Sequence, residues 1–141
     1  KEITNGNKIL VLTERKEHVS TLFLYLKQKA EIITLTGEDS QSKRVVKIDQ
    51  IHMGHFQVLI ATGQLFGEGV DFNVFTCLFL VYPFSFEGKL VQYIGRIRRN
   101  NQKQIIYDYH DIEIPFFDKQ FKQRLRQYKK LLGVNIHPTS F

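Results

Sequence analysis

The sequence predicts an α/β protein: an open, mainly parallel sheet with helices on both faces. Short segments that are apolar nearly throughout alternate with segments whose apolar residues recur at helical spacing. Strands without a polar face belong to sheets covered on both sides. The apolar segments also stop at polar clusters, Thr13-Glu14-Arg15, Thr36-Gly37-Glu38 and Thr62-Gly63-Gln64, as strands do at a sheet rim. A chain of 141 residues is long enough for one domain of this kind and its core.

The elements follow in order. Lys8 to Thr13 is an apolar run ending in a polar residue, a buried strand. From Arg15 to Lys29, Val19, Leu22, Phe23 and Leu26 fall at i, i+3, i+4 and i+7, one stripe of a helix. Ile32 to Leu35 is a second strand, Ser42 to Met53 a second helix and Gln57 to Ala61 a third strand. Thr76 to Tyr82 gives a fourth strand, Leu90 to Arg98 a helix and Gln104 to Tyr107 a fifth strand. A last helix, Phe116 to Leu132, sets Phe117, Phe121, Leu125, Tyr128 and Leu132 on one stripe, with Lys119, Lys122, Arg124, Arg126, Lys129 and Lys130 around it. Gly133 suits its stop. Residues 1–133 are thus expected to form one domain and 134–141 a tail.

With 43% hydrophobic and 24% charged residues the chain is globular rather than disordered. The longest apolar run, Val74 to Phe86, is broken by Thr76, Pro83 and Ser85. It falls short of the roughly 18–20 residues of a bilayer span, and no membrane partner is expected. No basic-then-apolar leader opens at Lys1, and Cys77 is the lone cysteine, so a reducing, cytoplasmic location is the expectation. His52 and His55 form an HxxH pair, but no carboxylate or cysteine at matching spacing completes a set, so no metal site is expected.

Charge is unevenly placed. Residues 1–88 hold 9 Lys/Arg against 10 Asp/Glu, a net of −1, and residues 89–141 hold 11 against 4, a net of +7. A basic half suggests a polyanionic partner, with a solvated helix face as the plainer reading.

In an open α/β sheet ligands gather at the carboxyl ends of the strands, and two segments there carry chemistry. Ala61 to Phe72 follows a strand and holds three glycines, Thr62 and Asp71. Its glycines let backbone N–H groups approach a phosphate, and Thr62 adds a hydroxyl donor; a loop that only turns a corner would have the same composition. In Gln92 to Arg99, a helix would place Arg96 and Arg99 on one face, with Gln92 one turn earlier. Two planar cations so placed suit the equatorial oxygens of a phosphoryl group in transfer, although a solvated basic helix end would look similar.

Taken together and in this order, the segments resemble the C-terminal RecA-like domain of superfamily 2 helicases. Ile9 to Thr13 corresponds to motif IV, Thr36-Gly37 to motif IVa, Ala61 to Phe72 to motif V, and Gln92 to Arg99 to motif VI, QxxGRxxR. The likeness covers nearly the whole chain, and Gly-Glu-Gly-Val-Asp looks closest to DEAD/DEAH-box-like bacterial enzymes near the excision-repair translocases. The resemblance implies that Arg96 and Arg99 are arginine fingers, with Gln92 placing phosphate or water. It implies that Gly69 and Asp71 meet the ribose edge of the nucleotide. Thr62, Gly63 and Gln64 would touch the nucleic-acid backbone, joined by Thr36, Gly37, Thr13 and Arg15. Arg98 is given no role. The implied ligands are ATP and Mg, bound mainly by an N-terminal RecA-like lobe, and nucleic acid, with DNA favoured over RNA.

The phosphate-cradling GxxxxGK[ST] loop does not occur in these residues: Gly88-Lys89 is followed by Leu90, and Pro83 stands five positions before Gly88. Asp108-Tyr109-His110-Asp111 follows a strand as a DExx motif would, but lacks the adjacent glutamate and comes after the arginine segment. The expectation is therefore one lobe of a two-lobed ATP-dependent helicase or translocase, inactive by itself. The alternative is a non-catalytic nucleic-acid-binding domain with a helicase-like fold, bound through its last helix.

Overall fold

The computed structural model describes residues 1–81, 88, 91 and 104–132. Strands β1 (Ile9–Thr13), β2 (Ile32–Leu35), β3 (Val58–Thr62), β4 (Cys77–Leu80) and β5 (Ile105–Asp108) form one sheet in the order β2-β3-β1-β4-β5. Every pairing is parallel, with Thr13 opposite Thr62, and Leu35 opposite Ala61. The helices are α1 (Lys16–Leu26), α2 (Gln41–His52) and α3 (Pro115–Leu132). This is the expected α/β architecture.

The uninterrupted apolar strands are explained by the two cores they serve. Leu10, Leu12, Leu59, Ala61, Leu78 and Leu80 face one way and pack with Ile51 of α2 and Tyr128 of α3. Ile9, Val11, Val58, Ile60 and Cys77 face the other way and pack with Val19, Leu22, Phe23 and Leu26 of α1. The period-2 alternation of a strand divides each segment between the faces, and each fully buried aliphatic side chain contributes roughly 1.5–3 kcal/mol. Cys77 is buried, and the loss of solvent pushes its thiol pKa up to about 12. No helix among the described residues is long and apolar enough to cross a membrane.

Three features depart from the sequence reading. The glycine-rich segment is not a plain loop: it contains 3₁₀ turns at Gly63–Gly67 and Phe72–Val74, pinned by buried Leu65, Val70, Phe72 and Phe75. Helix α2 starts one residue early because the Ser40 hydroxyl accepts a hydrogen bond from the Lys43 N–H and caps it. In α3 the most buried positions are Gln120, Arg124 and Tyr128, at i, i+4 and i+8, with the predicted Phe117, Phe121 and Leu125 on the flanks. Arg124 and Tyr128 are drawn in by Asp108 at the end of β5, whose carboxylate accepts hydrogen bonds from both. Of the expected helix Leu90–Arg98 only Val91 is described, and it is helical; the Gly133 stop and the tail lie outside the described residues.

Candidate functional site

The strand order sets β2, β3 and β1 side by side, so three strand-end loops converge. Glu14, Lys16, Thr36, Gly37, Glu38, Thr62, Gly63 and Gln64 line one open groove of about 370 Å³. Five of the residues expected to touch a nucleic-acid backbone, Thr36, Gly37, Thr62, Gly63 and Gln64, are thus brought together.

Each loop is held in a definite shape. The Thr36 N–H donates to Asp39 Oδ2 at 2.9 Å, and the Thr36 hydroxyl accepts from the Glu38 N–H at 3.3 Å. Asp39 Oδ1 receives Lys47 Nζ at 2.5 Å. Burial pushes the Asp39 carboxyl up, but the Lys47 ammonium, the Thr36 N–H and the Arg44 charge outweigh it and leave the pKa below the usual value. Gly37 lies directly against the Gln64 side chain: a Cβ there would sit 2.6 Å from Nε2 and 2.7 Å from Oε1. The glycine leaves room for the Gln64 amide, and its backbone is not left-handed.

Thr13 and Arg15 part company. Thr13 is fully buried, its hydroxyl 3.1 Å from His18 Nδ1 and accepting the Arg15 N–H at 3.4 Å. It shapes the loop after β1 and is not among the residues that line the groove. Arg15 is exposed beside that loop. Lys16 and Glu38 form an exposed ion pair that joins two loops. With Glu14 and Glu38 set against Lys16, the groove wall has no cationic excess. Its other lining residues, Thr36, Gly37, Thr62, Gly63 and Gln64, are uncharged.

Beyond the groove the chain continues from the first 3₁₀ turn to Gly69, which has φ +68° and open space where a Cβ would be. Asp71 is exposed and accepts the Asn73 N–H at 3.0 Å, which caps the second turn. Both are at the surface. Gln92, Arg96 and Arg99 lie outside the described residues.

Sequence reasoning missed three charged groups that organise this end of the sheet: Asp39, Arg44 and Glu68. Arg44 Nη1 pairs with Glu68 Oε1 at 2.9 Å, and its Nη2 donates to the Asp39 carbonyl at 3.2 Å. The available signal was a helical i, i+3 spacing of Arg44 and Lys47 just after Asp39. Asp108, set aside above as no DExx motif, has a structural role: its carboxylate accepts Arg124 Nε at 2.8 Å, Arg124 Nη2 at 2.9 Å and the Tyr128 hydroxyl at 2.7 Å. Arg124 is therefore a structural cation and not part of a phosphate-binding face. Among the described residues no group of three or more His, Cys, Asp or Glu side chains is placed to hold a metal ion.

Comparison with known proteins gives the family and the fold. Residues 1–101 match the family described as Helicase conserved C-terminal domain. "Probable helicase D10" of Escherichia phage T5 is 30% identical over 101 residues, which are 69% of this chain and 22% of that protein. The pre-mRNA-splicing ATP-dependent RNA helicase PRP28 of Candida glabrata is 34% identical over 100 residues, 71% of this chain and 16% of that protein. The chain thus spans about a fifth of the length of these relatives. In fold it is similar to the C-terminal domain of the DEAD-box protein Dbp5, with a TM-score of 0.70 at 20% identity over 92% of this chain and 72% of that one. With its strand-end motifs and all-parallel sheet, the chain belongs to the helicase conserved C-terminal domain family and has the RecA-like fold of the superfamily 2 helicases.

Proposed function

We propose that residues 1–133 are the second lobe of an ATP-dependent nucleic-acid helicase or translocase, and that its first, ATP-binding lobe is a separate domain of the same protein. The convergence of Thr36, Gly37, Thr62, Gly63 and Gln64 in one groove, on the sheet end that also carries Gly69 and Asp71, supports this reading most strongly. A nucleic-acid backbone would lie on neutral donors there, which suits binding to phosphate without reading bases. DNA is the favoured polymer in our reading, and the Gly-Glu-Gly-Val-Asp segment favours a translocase of the excision-repair kind in a bacterial cytoplasm. PRP28 is by name an RNA helicase, so oligothymidylate and oligouridylate belong in the same assay.

ATP with Mg supplies the phosphoryl group whose hydrolysis drives such a motor. Of this chain's residues, the Gly69 N–H and the Asp71 carboxylate would bind the ribose edge, both being exposed. The guanidinium groups of Arg96 and Arg99 would neutralise charge on the phosphoryl oxygens, and Gln92 would orient the attacking water. An arginine finger is worth roughly 10³–10⁵ in rate. In the full-length protein Arg99→Ala should therefore lower the ATPase rate by at least about a thousandfold while nucleic-acid binding persists. Equal turnover in wild type and variant would overturn the assignment. Nucleic-acid binding by a wild type without ATPase activity would favour a non-catalytic binding domain instead.

A further inference from the structure

The Thr36-Gly37 side of the groove follows β2 and the nucleotide edge follows β3, yet one side chain ties them together. Arg44, in the first turn of α2, donates through Nη2 to the Asp39 carbonyl at 3.2 Å in the loop after β2. Through Nη1 it pairs with Glu68 Oε1 at 2.9 Å, next to Gly69. Asp39 in turn holds the Thr36 N–H at 2.9 Å. A continuous run of polar contacts therefore leads from Thr36 in the groove through Asp39, Arg44 and Glu68 to Gly69. A second link lies parallel to it, where the Gln64 amide packs on Gly37. The Arg44 and Glu68 side chains are only 21% and 19% exposed, so the pair is less screened than a surface ion pair. A planar guanidinium fits the task because its fixed fork bonds two acceptors at once, which an ammonium on a flexible stem does less well.

We propose that Arg44 and Glu68 form a positioning pair that couples nucleic-acid binding in the groove to nucleotide binding at Gly69 and Asp71. The inference rests on the function proposed above. A ligand that draws the Thr36-Gly37 loop toward itself shifts the Asp39 carbonyl, and the guanidinium carries that shift to Glu68 and the Gly69 backbone. By linkage the effect is reciprocal: nucleotide binding at Gly69 favours the groove shape that grips the polymer.

The test uses the full-length protein, a fluorescein-labelled oligothymidylate or oligouridylate, and a non-hydrolysable ATP analogue. The measured quantity is the factor by which the analogue raises oligonucleotide affinity, expected in wild type at about 5- to 150-fold. Glu68→Gln and Arg44→Gln should each bring this factor close to one, while oligonucleotide affinity without the analogue stays at the wild-type value. The double variant should lose no more than either single one, because the pair acts as a unit. Arg44→Lys should recover only part of the factor. If Arg44→Gln fails to fold, judged by its thermal transition, Glu68→Gln, which keeps the size and shape of the side chain, carries the test alone. A Glu68→Gln protein with the wild-type factor, or one that loses affinity for both ligands while keeping the factor, overturns the proposal and leaves the motor assignment standing. A wild type without any coupling, whose ATPase also ignores nucleic acid, removes the motor assignment and this proposal with it.

Discussion

Asp108 is the residue whose surroundings most change the meaning of its neighbours. Its side chain is 7% exposed and the paired Arg124 is 4% exposed, so both charges have left water and depend on each other and on the Tyr128 hydroxyl. The same contact raises the Tyr128 phenol pKa: burial is the largest cause, followed by the adjacent Asp108 charge. Removing one member of a buried ion pair strands the other and typically costs about 3–5 kcal/mol. Arg124→Met should lower unfolding stability by that order in urea titrations, and Asp108→Asn combined with Arg124→Met should lose less than the two single losses added together. Equal stability of Arg124→Met and wild type would show that the pair carries no load. Asp39 gives a pH signature of definite sign. Its folded-state pKa lies below the unfolded value, so its contribution is complete above about pH 5 and is lost as pH falls through the folded value. Urea midpoints measured downward from about pH 6 should fall in wild type, and Asp39→Asn should remove part of that slope. None of these pairings was visible in the sequence, because each joins residues whose contact depends on the fold: 16 positions separate Arg124 from Asp108, and 24 separate Glu68 from Arg44.

Elements were far more legible than contacts. Every described strand and helix was anticipated to within a few residues, because the apolar period reports burial on one or two faces and the sheet needs exactly such segments. Periodicity failed at α3 for a physical reason. It ranks positions by apolar character, whereas the buried face of α3 carries Gln120, Arg124 and Tyr128, the last two bonded to Asp108 at the end of β5. The two 3₁₀ turns escaped notice because single buried side chains fix them, and their segments are too short to show a period. With Arg124 withdrawn, the exposed cations of α3 are Lys119, Lys122, Arg126, Lys129 and Lys130, of which Lys122 pairs with Asp118 at 2.6 Å. The helix follows β5, the edge strand farthest from β2 and the groove. Any phosphate it holds is therefore additional to the groove and purely electrostatic. Replacing Lys119, Arg126, Lys129 and Lys130 with Gln should flatten the dependence of log affinity on log salt by about 0.7 per lost single-strand contact. Binding should not be abolished, since the neutral groove remains. An unaltered salt slope would remove α3 from the nucleic-acid surface.

At the scale of the molecule, one sheet joins the two cores, and the strands contribute alternate residues to each. Neither core can come apart without the other, so the chain should unfold in one transition rather than in pieces. Among the described residues, those assigned at its carboxyl end to the nucleotide, Gly69 and Asp71, are surface groups that can cover one edge of a ligand only. Binding that leaves most of a nucleotide in water excludes little solvent, and electrostatic stabilisation of a phosphoryl group is weak in water. These residues also hold no GxxxxGK[ST] loop to cradle the phosphates. Residues 1–141 alone should therefore hydrolyse no ATP above the buffer rate, even with oligonucleotide present, although circular dichroism reports a cooperatively folded α/β domain. The full-length protein in the same assay should turn over ATP, and faster with oligonucleotide. Comparable turnover by the isolated chain would mean that it holds a complete phosphate site of its own, and the two-lobed reading would have to be abandoned.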